Sequence, residues 1–130
     1  MASASDDVVA AITAKWAAAF ATVDADALSS LYSKSALFYG SNPTLYRGRD
    51  GVKSYFAGLP RWKTSSVRFT DVATSAAGND LVNMAGSANF AFDGQALTVK
   101  ISWVIIREDG DWKIVSHHVS SRARLIDQVG

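Results

Sequence analysis

Both histidines of the chain stand side by side, His117 and His118, within the stretch DWKIVSHHVSSR. Histidine is the side chain whose ordinary pKa, about 6.5, lets it take or give a proton near neutral pH. The pair is therefore the first place to look for acid–base chemistry. The stretch reads as a strand, and neighbouring residues on a strand point to opposite faces. The two imidazoles cannot share one site within a subunit: one faces the interior and the other faces away. Other ready chemistry is scarce. Cysteine is absent, which removes thiolate nucleophiles, disulfides and Cys-based metal sites. Two histidines are too few for an all-histidine metal centre, so neither a metal nor a cofactor is expected.

Hairpin geometry decides which histidine is which. Asp93-Gly94 and Asp109-Gly110 are strong signals for two-residue turns. With Glu108 opposite Asp111, the ladder runs Ile105 against Ile114, Trp103 against Ser116 and Ile101 against His118, and opposed residues share a face. The same rule at Asp93-Gly94 sets Phe90 against Leu97, Ala88 against Val99 and Met84 against Trp103. One face thus gathers Met84, Phe90, Val99, Ile101, Trp103 and Ile114, with Ser116, His118 and Ser120 riding on it. Burial stabilises by about 25 cal/mol per Å² of apolar surface, which places this face beneath the helices.

His118 is therefore predicted to point inward. Desolvation beside Trp103 and Ile101 would lower its pKa and leave a neutral imidazole able to accept a proton. The plainer reading is a structural histidine bonded to Ser116, Ser120 or backbone. Tyr39 and Tyr55 offer phenols to a ligand oxygen, and Trp16 and Trp62 offer aromatic walls. Arg47 stands at the expected mouth. Asp71, in SVRFTDVAT, has two readings. If Val67 and Phe69 face in, Asp71 goes with them and needs a partner, for which His118 is the candidate. A β-bulge at Thr70–Asp71 would instead turn the carboxylate to solvent. The outer face carries His117 with Val104, Val115 and Val119, a half-apolar strip suited to a symmetric dimer.

The elements that must hold these residues follow from periodicity. Residues 5–22 read as a helix capped by Ser5, with Ile12, Trp16, Ala19 and Phe20 on one stripe. A second helix, capped by Asp24 or Asp26, turns Leu28, Leu31 and Tyr32 inward. ALFYG (36–40) is a short strand. A third helix starts near Asp50, buries Val52, Tyr55, Phe56 and Leu59, and stops at Gly58 before Pro60. From Thr64 onward the period changes to two, giving four strands. Helices followed by an antiparallel meander make an α+β layout, with helices on one face of a curved sheet.

A length of 130 residues fits a single domain. The formal charge of +1, with the signs interspersed, leaves no electrostatic footprint for nucleic acid or an anionic membrane. No apolar run approaches the roughly 18 residues needed to cross a bilayer. Asp6 and Asp7 argue against a signal peptide. The expectation is a soluble, cytoplasmic protein.

DADALSSLYSKSALFYG, then GRDGVKSYF after an aromatic strand, then the closing hairpin EDGDWKIVSHHVSS together resemble the NTF2-like superfamily. The nearest branch is the small SnoaL-like and SgcJ/EcaC-type domains, related to the association domain of calmodulin-dependent kinase II. The resemblance covers roughly residues 6–123. It implies a cone of three N-terminal helices packed on a curved antiparallel sheet around an apolar pocket, and a homodimer. It further implies either of two functions. One is a cofactor-independent isomerase, cyclase or hydrolase acting on a small hydrophobic carbonyl compound, with His118 and Asp71 moving a proton. The other is a non-catalytic ligand-binding or oligomerisation domain.

Overall fold

The structure, a computed structural model, describes residues 3–126. Helix α1 (Ala4–Phe20) begins one turn-fragment earlier than the Ser5 cap predicted. Ser3 is the cap: its hydroxyl accepts from the Asp6 amide at 3.1 Å, and the Asp6 carboxylate accepts from the Ser3 amide at 3.3 Å. The helix buries Val9, Ile12, Trp16, Ala19 and Phe20. Helix α2 (Ala25–Ser29) is capped by the Asp24 carboxylate.

Tyr32 does not belong to α2. It opens strand β1 (Tyr32–Tyr39), where Tyr32, Ala36 and Phe38 turn inward and are buried. Strand β2 (Leu45–Arg47), which the sequence reading did not contain, folds back on β1 and leads into α3 (Gly48–Ala57). Helix α3 buries Val52 and Phe56 and ends at Gly58. Strands β3 (Ser65–Ala76), β4 (Leu81–Phe92), β5 (Gln95–Glu108) and β6 (Asp111–Ser121) follow. The sheet order is β2-β1-β6-β5-β4-β3. Every pairing is antiparallel except β1 with β6, which is parallel. The fold is α+β, helices followed by a curved, open six-stranded sheet, with the last strand of the chain inserted at its centre.

Both Asp-Gly turns form as the sequence requires, with positive φ at Asp93, Gly94, Asp109 and Gly110. The β4–β5 register is the predicted one along its whole length, from Phe92 opposite Gln95 to Leu81 opposite Ile106. The β5–β6 register begins as predicted, from Glu108 opposite Asp111 to Ile105 opposite Ile114. There it slips: Val104 pairs with Ser116, leaving Val115 as an extra residue in a β-bulge. A one-residue slip moves every later side chain to the other face. Trp103 therefore opposes His117, Ser102 opposes His118, and Ile101 opposes Val119.

The orientation of the two histidines is thus the reverse of the prediction. His117 is buried, at 3% exposure, and His118 is exposed. Val119 turns inward rather than onto the outer strip, while Ser116 and Ser120 pair with the outward residues Val104 and Lys100. The physical reason is apolar pattern. A regular ladder would push two serines into the core and leave Val119 wet, whereas the bulge brings Ile114, His117 and Val119 onto the buried face.

A second bulge breaks β3 against β4. Thr70 opposes Ser87, but Ala73 opposes Ala85. Asp71 sits in this bulge at φ 54°, exposed to solvent, with strands β4 and β5 between it and β6. Gly86 faces the bulge, where an added Cβ would lie 3.1 Å from the Thr70 carbonyl oxygen and the Val72 Cα. Asp71 and His118 are not partners.

Candidate functional site

The interior histidine is held by a chain of aromatic donors. The Trp16 indole N–H, from α1, donates to the Tyr32 hydroxyl at 3.0 Å. That hydroxyl lies 2.8 Å from His117 Nδ1. The Trp103 indole N–H, from β5, donates to the same Nδ1 at 2.9 Å. The Phe38 ring stacks on the imidazole at 4.0 Å and 21°. Tyr32 is itself pinned from behind. Arg49 Nε donates to its carbonyl at 2.9 Å, and Arg49 pairs with Glu108, whose carboxylate also takes the Ser33 hydroxyl at 2.6 Å. Ser33 above all holds the Glu108 carboxyl below its ordinary value. The end of β5, the start of β1 and the first turn of α3 are fastened together behind the site.

Burial dominates the electrostatics. It pushes the Tyr32 phenol well above its usual pKa, so Tyr32 remains a protonated hydroxyl. It lowers the His117 imidazole to about 3, with a smaller contribution from adjacent His118. His117 is neutral at physiological pH. Among the described residues no buried side-chain nitrogen or oxygen lacks a partner. Nε2 makes no protein hydrogen bond there, so it is the ring atom left accessible.

What it reaches is a cavity of about 540 Å³ between helices and sheet, to which His117 contributes a wall. Trp16, Phe20, Phe38, Phe56, Phe90 and Val119 form its apolar interior. Trp62, stacked on Phe92 at 4.5 Å and 12°, stands at one side with Leu59, Pro60 and half-exposed Leu97. Tyr55, Ser41, Thr98, Ser120 and Ser121 complete the lining, although the Thr98 hydroxyl donates to Asn89 and Ser120 opposes Lys100 on the outer side of the sheet. The Tyr55 ring lies across the backbone of Gly40, where an added Cβ would sit within 2.7 Å of it. Its hydroxyl accepts from the Ser41 amide at 2.9 Å and donates to the Ser41 hydroxyl at 2.8 Å. The lining, among the described residues, contains no Asp, Glu, Lys or Arg. Among those residues no cluster of His, Cys, Asp and Glu could hold a metal ion.

The predicted site residues divide sharply. Trp16, Tyr55, Phe90, Val99 and Ser120 line this cavity. Ile101, Met84 and Trp103 face inward but are buried in the core and do not line it. Tyr39 is on the outer face, 42% exposed, beside His118 at 5.6 Å between rings. Ser116 lies on the outer face too, and Arg47 is exposed and outside the lining. His117 and Val119 leave the proposed dimer strip for the interior, while Val104 and Val115 are half-buried. Sequence reasoning missed Tyr32 and the inward His117. A signal existed: one extra residue after Ile114 improves the apolar pattern of β6.

Residues 9–124 match the SnoaL-like domain family. No curated protein matches the sequence significantly. Solved structures share the fold at low identity. An NTF2-like protein of unknown function from Pseudomonas putida superposes with TM-score 0.80 at 15% identity, covering 96% of this chain and 92% of that one. A candidate dehydratase of the NTF2-like family from Streptomyces avermitilis gives 0.77 at 20%, covering 91% and 96%. A candidate calmodulin-dependent kinase II association domain from Xanthomonas campestris gives 0.78 at 22%, covering 93% and 87%. With a matching sequence profile over nearly its whole length and this helix-on-open-sheet architecture, the chain belongs to the SnoaL-like domain family of the NTF2-like superfamily.

Proposed function

We propose that the chain is a cofactor-independent enzyme whose cavity takes a small hydrophobic carbonyl compound, with His117 as the residue that meets the carbonyl oxygen. The reaction class is isomerisation, cyclisation or dehydration, in which negative charge grows on that oxygen as the proton of the neighbouring carbon passes to a water molecule at the open side of the cavity. One observation carries the reading: a neutral imidazole with one free ring nitrogen, set in the wall of a cavity that is largely aromatic and aliphatic. A group preorganised in a dry site stabilises developing charge far better than the same group in water. The names of the candidate dehydratase above and of a candidate scytalone dehydratase from Novosphingobium aromaticivorans agree with such chemistry. Among the described residues the lining carries no charged group, which disfavours carboxylate or ammonium ligands.

The outer sheet face supports pairing with a second copy. Leu37 and Tyr39 are 44% and 42% exposed on it, next to half-buried Val104 and Val115.

The test is turnover of a panel of enolisable and β-hydroxy ketones by the native chain and by His117→Ala. The expected result is conversion of at least one ketone by the native protein, reduced about 10²–10³-fold in the variant. Unchanged turnover in His117→Ala would remove this residue from the chemistry. Saturable binding across the panel with no product would replace the enzyme by a ligand-binding domain.

A further inference from the structure

We infer that Trp103 is a positioning residue: its indole fixes His117 as the Nε2–H tautomer, so the deep end of the cavity offers a hydrogen-bond donor and selects ligands that present an acceptor there. This rests on the cavity reading above for its ligand, but not for the tautomer itself. An indole N–H donates and never accepts. Its 2.9 Å contact with His117 Nδ1 therefore requires that Nδ1 carry a lone pair and no proton. In a neutral imidazole the proton must then be on Nε2. The Tyr32 hydroxyl follows the same logic. It already accepts from Trp16 at 3.0 Å, and an unprotonated Nδ1 has nothing to donate, so its own proton points to Nδ1 across 2.8 Å. Two donors from different strands converge on one ring nitrogen.

The consequence is chemical. An imidazole whose Nδ1 is occupied and whose Nε2 bears hydrogen is not a proton acceptor toward the cavity. It acts on a ligand as an electrophile, donating to a ketone, enolate or phenolate oxygen. The ionisable groups around it are Tyr32 from β1, which contacts the ring, and Tyr55 from α3, which lines the same cavity, with His118 adjacent but on the opposite face of β6. None of them supplies a carboxylate that would favour imidazolium. The role sought for a general base at position 118 is replaced, at 117, by that of an oxyanion donor held from behind.

Long-range ¹H–¹⁵N correlation spectra of the native protein read the tautomer directly. Nδ1 is expected to resonate as an imine-type nitrogen and Nε2 as an N–H. In Trp103→Phe the tautomers should mix, whereas Tyr32→Phe, which leaves the indole in place, should keep Nε2–H. Binding of 1-tetralone and of tetralin, its hydrocarbon counterpart, reads the selectivity. The ketone should bind about tenfold tighter to the native chain, and most of that preference should vanish in Trp103→Phe. An Nδ1–H tautomer in the native protein overturns the inference, and so does an unmixed Nε2–H tautomer with unchanged preference in a folded Trp103→Phe. If neither probe binds but the tautomer is Nε2–H in the native protein and mixed in Trp103→Phe, the positioning by Trp103 is supported and the ligand class proposed above is overturned.

Discussion

At residue 117 the imidazole satisfies two donors that would otherwise be buried without acceptors, the Trp103 indole and the Tyr32 hydroxyl. Replacing it with a hydrocarbon side chain, His117→Phe, should destabilise the fold by about 1–3 kcal/mol for each donor left unpaired, measurable by urea unfolding. His117→Gln, whose amide oxygen can accept from both, should retain more of that stability. The two forms should also differ in pH response. The unfolded chain protonates this histidine below about pH 6.5, but the folded chain does not until about pH 3. Stability is therefore full above 6.5 and falls as pH drops through that window, by up to about 1.4 kcal/mol per pH unit. In His117→Gln that component should be missing, so its unfolding midpoint should decline less steeply between pH 6.5 and 4.5.

At the scale of elements, the structure turns on where two strands take an extra residue. The bulge at Val115 decides which histidine is inside, and the bulge at Asp71 decides that the carboxylate is outside. Deleting Val115 leaves Ser116 to follow Ile114, which closes a regular ladder with His117 still opposite Trp103. The deletion should keep the buried histidine and its bond to the indole, seen as an unchanged ring environment for His117 by NMR. A buried His118 in that variant would show the bulge has been misread. Gly86→Ala should destabilise by about 1–3 kcal/mol, because its methyl would press on the Thr70 carbonyl and the Val72 backbone.

These elements also show what a sequence discloses. The Asp-Gly turns are local chemistry, and they set the β4–β5 register and the first half of β5–β6 without reference to anything distant. Helices α1 and α3 were legible from their apolar stripes. A bulge has no such local signature, since its advantage lies in what the strand beyond it buries. The parallel insertion of β6 beside β1 is likewise non-local. It brings Tyr32 and His117 together across 85 positions, and no spacing rule connects them. The site reading was off by one residue for that reason, although the inward direction of Phe90 and Val99, which line the cavity, follows from alternation alone.

For the whole molecule, a largely aromatic-walled cavity of about 540 Å³ with His117 in its wall should couple ligand to stability. A neutral bicyclic ketone at 100 times its Kd should add about 2.7 kcal/mol, visible as a rise of several degrees in Tm. A carboxylate analogue of the same size should add much less, because the lining provides no cation. If two copies pair through the outer sheet face, Leu37→Glu should convert dimers to monomers in light scattering while leaving ketone binding intact. A native chain that is monomeric at high concentration would contradict that pairing.

The account depends most on a buried, neutral imidazole at 117 looking into the cavity. Its direct measure is a pH titration of the His117 ring ¹³Cε1 resonance, identified by its disappearance in His117→Gln. The resonance should hold one position from pH 8 down to about 4.5, as expected for a group lowered to about 3. An inflection near pH 6.5 would mean that this ring sits in water, and the donor assigned to the cavity would be lost with it.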